Sequence, residues 1–183
     1  SAGNGAAMRV SPVAEIYENQ KEIICLSAMS ADATHNHYEG IKGAVIAAMM
    51  IWMAYRGYDK EQIFQYMLGH YRDDQNVLPS VQRFKKFDMQ ELRQKFGYPL
   101  SAFTVPAAAV CFYESASYED AITNVLSFGG DTDTIGAVTG GIAGAYYGVP
   151  ESAQTVVMKL NTDATFLEAY KILERCRKGM PGK

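Results

Sequence analysis

Cysteine is scarce and scattered in this chain: Cys25, Cys111 and Cys176 form no C-x-x-C pair, and their number is odd. That spacing argues against a disulfide framework and suits reduced, packed thiols in a cytoplasmic protein. Basic residues are not in excess. Against 17 Lys plus Arg stand 20 Asp plus Glu, a net charge of −3, so no positive field is available to hold nucleic acid. Long apolar runs are missing as well. The greasiest stretch, "AVIAAMMIWMAY", falls short of the roughly 20 residues a membrane helix needs, so it reads as a buried helix and no membrane partner is expected. No segment reads as a signal peptide. No run alternates strictly enough to argue for a strand, and no internal repeat, low-complexity tract or linker divides the chain.

What is present is helical periodicity in a globular composition, 48% hydrophobic and 20% charged over 183 residues. That length is one domain with a real core, so residues 1–183 are expected to form a single all-α domain, many helices around one core. Pro12 suits the first turn of a helix that carries Val13, Ile16, Tyr17, Ile23, Ile24 and Leu26. "SADATHNH" then interrupts it. Asn36 and Glu39 have capping-box spacing and open a helix through Arg56, which Gly57 ends. Further helices are expected over 59–69, near 88–95, over 101–114 with Pro106 kinking or starting it, and over 118–126, 132–147, 151–160 and 163–178.

The stretch "FGGDTDTIGAVTGG", residues 128–141, is the most informative. Asp131, Thr132, Asp133 and Thr134 sit where an apolar helix begins, beside its positive end and its unpaired N–H groups. A helix cap explains one such residue, not four. An EF-hand is excluded because Ile135 and Ile142 occupy positions that need oxygen donors, and a P-loop because no Gly-Lys-Ser/Thr follows. What remains is a compact set of hard oxygen ligands suited to Mg²⁺ or Mn²⁺. Behind it, Gly136, Gly140, Gly144 and Gly148 form one stripe. Each helical glycine costs roughly 1 kcal/mol, so the stripe is expected to meet a neighbouring helix at short range, with this helix in the middle of the domain.

Two other stretches carry chemistry. "GNGAAMRVSP", residues 3–12, flanks an asparagine with glycines directly before a helix, an arrangement that offers backbone N–H groups and an amide to an anionic or hydroxylated ligand. As a bare Asn-Gly it also fits an ordinary turn. "THNHYEGIKGA", residues 34–44, places His35 and His37 in a loop at a helix start. With no cysteine nearby and His70 far along the chain, zinc is the poorer reading, and hydrogen bonding to a ligand or to the loop backbone the better one.

Together, and in this order, these stretches resemble the ADP-ribosylglycohydrolase family, the helical hydrolases related to dinitrogenase reductase-activating glycohydrolase. The most specific part is the Gly-Gly-Asp-x-Asp-Thr core running into its glycine helix. The resemblance covers essentially the whole chain. It implies a multi-helix orthogonal bundle and a binuclear Mg²⁺ or Mn²⁺ centre. It also implies cleavage of the ribosyl bond to an ADP-ribosylated protein or small molecule, the expected substrate partner. Asp131, Asp133 and Thr134 match the family's C-terminal metal ligands. Gly3, Asn4 and Gly5 match the loop that contacts ADP-ribose, and His35 matches a histidine lining the substrate cleft.

The family also has an N-terminal portion with an acidic catalytic residue and a Thr-Asp-Asp motif that completes the metal centre. This sequence contains neither, so it resembles the C-terminal two-thirds of such a protein, and its catalytic general acid/base residue stays unknown. Asp73-Asp74 and Glu119-Asp120, its adjacent acidic pairs, lack the preceding Thr. Two expectations follow: a hydrolase incomplete as this chain alone, or a catalytically inactive helical module that binds ADP-ribose or a partner. Apolar faces left bare by the missing portion would favour self-association or a companion segment.

Overall fold

The structure, a computed structural model, describes residues 1–71 and 101–178. The expected helix near 88–95 and the Asp73-Asp74 pair lie outside them. The described residues form helices α1 (Gly5–Met8), α2 (Ser11–Ile16), α3 (Gln20–His35), α4 (Tyr38–Tyr55) and α5 (Lys60–Tyr71), then α6 (Ser101–Tyr113), α7 (Tyr118–Phe128), α8 (Thr132–Tyr147), α9 (Glu151–Leu160) and α10 (Ala164–Lys178). No strand element occurs among them. The all-α expectation is met, and no described helix is long and apolar enough to cross a membrane.

The first three helices differ from the sequence reading. The single helix expected from Pro12 to Leu26 is two, because Tyr17 is extended and Asn19 starts afresh, its side chain accepting from the Lys21 N–H at 2.8 Å. "SADATH" does not interrupt α3. Ala31 is fully buried and extends the Ile23–Ser27 stripe by one more turn, so the polar residues there form the solvent face of a continuing helix. The break comes at Asn36, and the cap of α4 is His37, whose Nδ1 accepts from the Glu39 N–H at 3.2 Å, rather than the Asn36 box. Gly57, with φ 78°, ends the next turn as expected.

α4 is the centre of the fold. Met49, Met50, Ile46 and Ile51 are all buried to within 1%, and α1, α2, α3, α5, α6 and α8 pack around it. Small residues permit the crossings. A Cβ on Gly43 would overlap the Ser101 side chain of α6, and one on Gly40 would lie 2.7 Å from the Ser1 carbonyl oxygen. α6 is apolar all round and runs through Pro106, neither starting nor ending there.

The glycine helix, α8, packs against α4, α6, α7 and α1. Thr134, Ile135, Val138, Thr139, Ile142 and Ala143 are buried, against α4 and α6. The glycine stripe turns toward α7: a methyl on Gly140 would meet Tyr118 Oη at 3.6 Å and Ile122 Cδ1 at 3.7 Å, ordinary van der Waals distance, whereas one on Gly144 would come within 2.9 Å of Val149 Cγ2. The shorter approach is beside the stripe, at Gly141, where a methyl would come within 2.8 Å of Ser11 Oγ and 3.0 Å of Ile51 Cδ1.

Candidate functional site

The N-terminal turn, α6 and the start of α8 meet at one side chain. Asn4 is 6% exposed; its Nδ2 donates to Thr104 Oγ1 of α6 at 3.0 Å and to Asp131 Oδ2 at 2.7 Å. A buried amide with both protons satisfied is a fixed strut. It joins "GNG" to "GGDTDT" across 127 positions of sequence. Residues 5–8, read from sequence as loop, form the short helix α1 with Ala6 and Ala7 in the core. That burial pins the turn.

The double glycine has a local cause. Gly129 and Gly130 have φ of 72° and 79°, left-handed conformations that side chains disfavour. Gly129 closes α7, its N–H donating to the Val125 carbonyl, and Gly130 redirects the chain into α8. Asp131 stands at the N-cap position yet makes no capping hydrogen bond. Its carboxylate faces Asn4 and the Asp133 carboxyl. That contact, with the backbone N–H groups of Thr134 and Asp133, holds Asp133 below the usual carboxylate range. Thr134, 4% exposed, lies on the same first turn.

Two carboxylates facing each other at a helix N-terminus favour a cation or a shared proton between them. With the Thr134 hydroxyl they make a hard oxygen set that fits Mg²⁺ or Mn²⁺ in kind. They fall short in number, since Mg²⁺ takes about six oxygens. Among the described residues no group of three or more His, Cys, Asp or Glu side chains gathers anywhere.

His35, the last residue of α3, lies over the same turn. A methyl on Gly5 would sit 3.0 Å from His35 Cε1 and 3.1 Å from Nε2, and one on Gly3 3.4 Å from Nε2. Gly3 and Gly5 therefore leave room for the imidazole, and all four residues expected to contact a ligand, Gly3, Asn4, Gly5 and His35, are adjacent. Partial burial and the Arg9 guanidinium lower the His35 pKa, which favours the neutral ring. His37 is occupied as a cap, and His70 bonds the Tyr66 carbonyl of its own helix.

Three residues here escaped the sequence reading. Thr104 is a buried hydroxyl in a mostly apolar helix, which is the signal that could have found it. Arg9 and Thr34 carried no signal: Arg9 reaches from beyond α1 to the Gly5 carbonyl, the Ser30 carbonyl and Thr34 Oγ1, a contact that periodicity does not encode.

Comparison with known proteins gives the family. A family model described as ADP-ribosylglycohydrolase matches residues 1–178. The ADP-ribosylhydrolase ARH3 of Homo sapiens is 32% identical, the match covering 84% of this chain and 53% of that protein. The ADP-ribosylarginine hydrolase Tri1 of Pseudomonas putida (strain GB-1) is 26% identical, with 81% and 39% covered. A solved structure named "ADP-ribosylglycohydrolase-related protein complex" is similar with a TM-score of 0.67 and 30% identity, covering 82% of this chain and 53% of that one. The chain spans about half the length of ARH3 and of the solved structure, and less of Tri1. It belongs to the ADP-ribosylglycohydrolase family.

Proposed function

We propose that these residues form one side of a metal-dependent centre that hydrolyses the ribosyl bond of an ADP-ribosylated protein or small molecule. The observation that carries this reading is the bond from Asn4 Nδ2 to Asp131 Oδ2, which joins the candidate ligand turn to the candidate metal motif. Asp131, Asp133 and Thr134 would hold Mg²⁺ or Mn²⁺, one ion of a binuclear pair. When bound, the metal supplies charge that orients the ribose hydroxyls and polarises the attacking water as the sugar approaches its oxocarbenium-like state. The turn at Gly3, Asn4 and Gly5 presents backbone groups to the ADP-ribose, and His35 closes over it. No residue of this chain is assigned as the general acid/base. The free thiols Cys25, Cys111 and Cys176 accord with a cytoplasmic setting.

The second reading, an inactive module that still binds ADP-ribose, is favoured by the ligand count, two carboxylates and one hydroxyl against the six or so oxygens that Mg²⁺ takes. Release of ADP-ribose from an ADP-ribosylated protein, with Mg²⁺ or Mn²⁺ present, separates the two. On the first reading a longer parent protein turns over and this chain alone does so poorly. On the second, neither does. In calorimetry, Mn²⁺ is expected to bind this chain weakly, and Asp133→Ala to abolish binding; unchanged binding in that variant places the metal elsewhere.

A further inference from the structure

Arg9, Thr34 and His35 form a chain of hydrogen bonds whose first link has a fixed direction. A guanidinium can only donate. Arg9 Nη2 donates to Thr34 Oγ1 and, at 3.0 Å, to the Ser30 carbonyl; Nη1 donates to the Gly5 carbonyl at 3.1 Å. Thr34 Oγ1 in turn lies 2.7 Å from His35 Nδ1. Having accepted from Arg9, the hydroxyl keeps one proton to give, and among the described residues His35 Nδ1 is the acceptor in reach. When the hydroxyl gives that proton to Nδ1, a neutral ring carries its own on Nε2. Nε2 is the atom that faces Gly3 and Gly5, and no described residue accepts from it.

We infer that Arg9 and Thr34 are positioning residues that lock His35 in its Nε2–H tautomer, so that the ring offers a fixed hydrogen-bond donor to an acceptor oxygen of the ligand seated on the Gly3–Gly5 turn. The same guanidinium ties the Gly5 carbonyl of the turn to the last turn of α3, so one side chain sets both the shape of the turn and the aim of the histidine. The Arg9 guanidinium beside the ring disfavours imidazolium, which preserves the neutral donor. The ligand half of this inference rests on the functional reading above; the tautomer does not.

Long-range proton–nitrogen correlation spectra of the full chain test it, with the His35 ring assigned by its loss in His35→Gln. The spectrum is expected to show a pyrrole-type Nε2 and a bare Nδ1. Thr34→Val is expected to lose that single-tautomer signature and Thr34→Ser to restore it. Addition of ADP-ribose is expected to move the Nε2 resonance and leave Nδ1 bare. A protonated Nδ1 in the unmodified chain, or an unchanged tautomer in Thr34→Val, overturns the inference. Failure of the functional reading looks different: the tautomer behaves as stated, but ADP-ribose leaves every His35 resonance in place.

Discussion

The two ends of the chain fold by opposite rules. The N-terminal turn is buried, with Ala6, Ala7 and Val10 at most 1% exposed, and Asn4 ties it to α6 and α8. At the other end, α9 has no buried residue and leaves Val156 54%, Val157 44% and Leu160 77% exposed. Each segment carries small or apolar residues, Ala6, Ala7 and Val10 in one and Val156, Val157 and Leu160 in the other. Such residues therefore signal an apolar face, and tertiary packing decides whether that face is covered. The candidate site lies at the covered end, where preorganisation is available.

The largest test of this contrast is in the core that the N-terminal turn rests on. Met50 of α4 is 0% exposed. Met50→Ala removes its packing and leaves a cavity, at a cost of about 2–5 kcal/mol. Denaturant titration that returns less than 1 kcal/mol would show that α4 is not the rigid centre described above.

The glycines give the next test. Gly40 meets backbone: an added Cβ would lie 2.7 Å from the Ser1 carbonyl oxygen and 3.0 Å from that of His35. Backbone yields poorly, so Gly40→Ala is expected to cost about 1–3 kcal/mol. Gly140 has ordinary space, and Gly140→Ala should gain up to about 1 kcal/mol from helix propensity. Melting temperatures moving in opposite directions support the distinction; a Gly140→Ala variant that loses stability restores the idea of a close-packed stripe. Asn4→Ala follows at about 1–3 kcal/mol, because Thr104 and Asp131 both lose their donor. A neutral result by chemical denaturation would show the strut to be dispensable.

Most of the helices are legible in the sequence because their apolar residues recur at helical spacing, and α7 through α10 fall within two residues of expectation. The errors have physical causes. Asn19 and His37 act as caps through side-chain geometry, and the sequence points as readily to Pro12 and Asn36. The glycine stripe looks like a close crossing by its period, but period cannot say which face meets a wide neighbour and which a narrow gap. Hence tight positions lie off the stripe, at Gly43 and Gly141, as well as on it at Gly144, where the close neighbour is Val149 just beyond the helix rather than a residue of another helix. For the candidate site, motifs bring Gly3, Asn4, Gly5, His35, Asp131, Asp133 and Thr134 to notice one stretch at a time. The Asn4–Asp131 bond that joins them exists only once α1 and α8 have packed on α4, and neither stretch encodes it alone. Arg9 and Thr34 are invisible for the same reason.

The smallest expected effect lies at the C-terminal end. Leu160 closes α9 and is 77% exposed, so Leu160→Ser removes almost no buried contact and should change stability by less than about 0.5 kcal/mol. Its effect belongs elsewhere. Val156, Val157, Met158 and Leu160 are apolar and exposed on one short helix, and a contiguous apolar surface tends to find a partner. We expect the isolated chain to associate with itself as concentration rises, and Leu160→Ser to shift that association to higher concentration while its melting temperature stays put. Light scattering across a concentration series, run beside thermal unfolding, separates the two quantities. A monomer at every concentration would show that this face needs no cover. A variant that loses stability together with association would show that α9 is held in the fold more tightly than its exposure indicates, and the contrast between the two ends of the chain would fail.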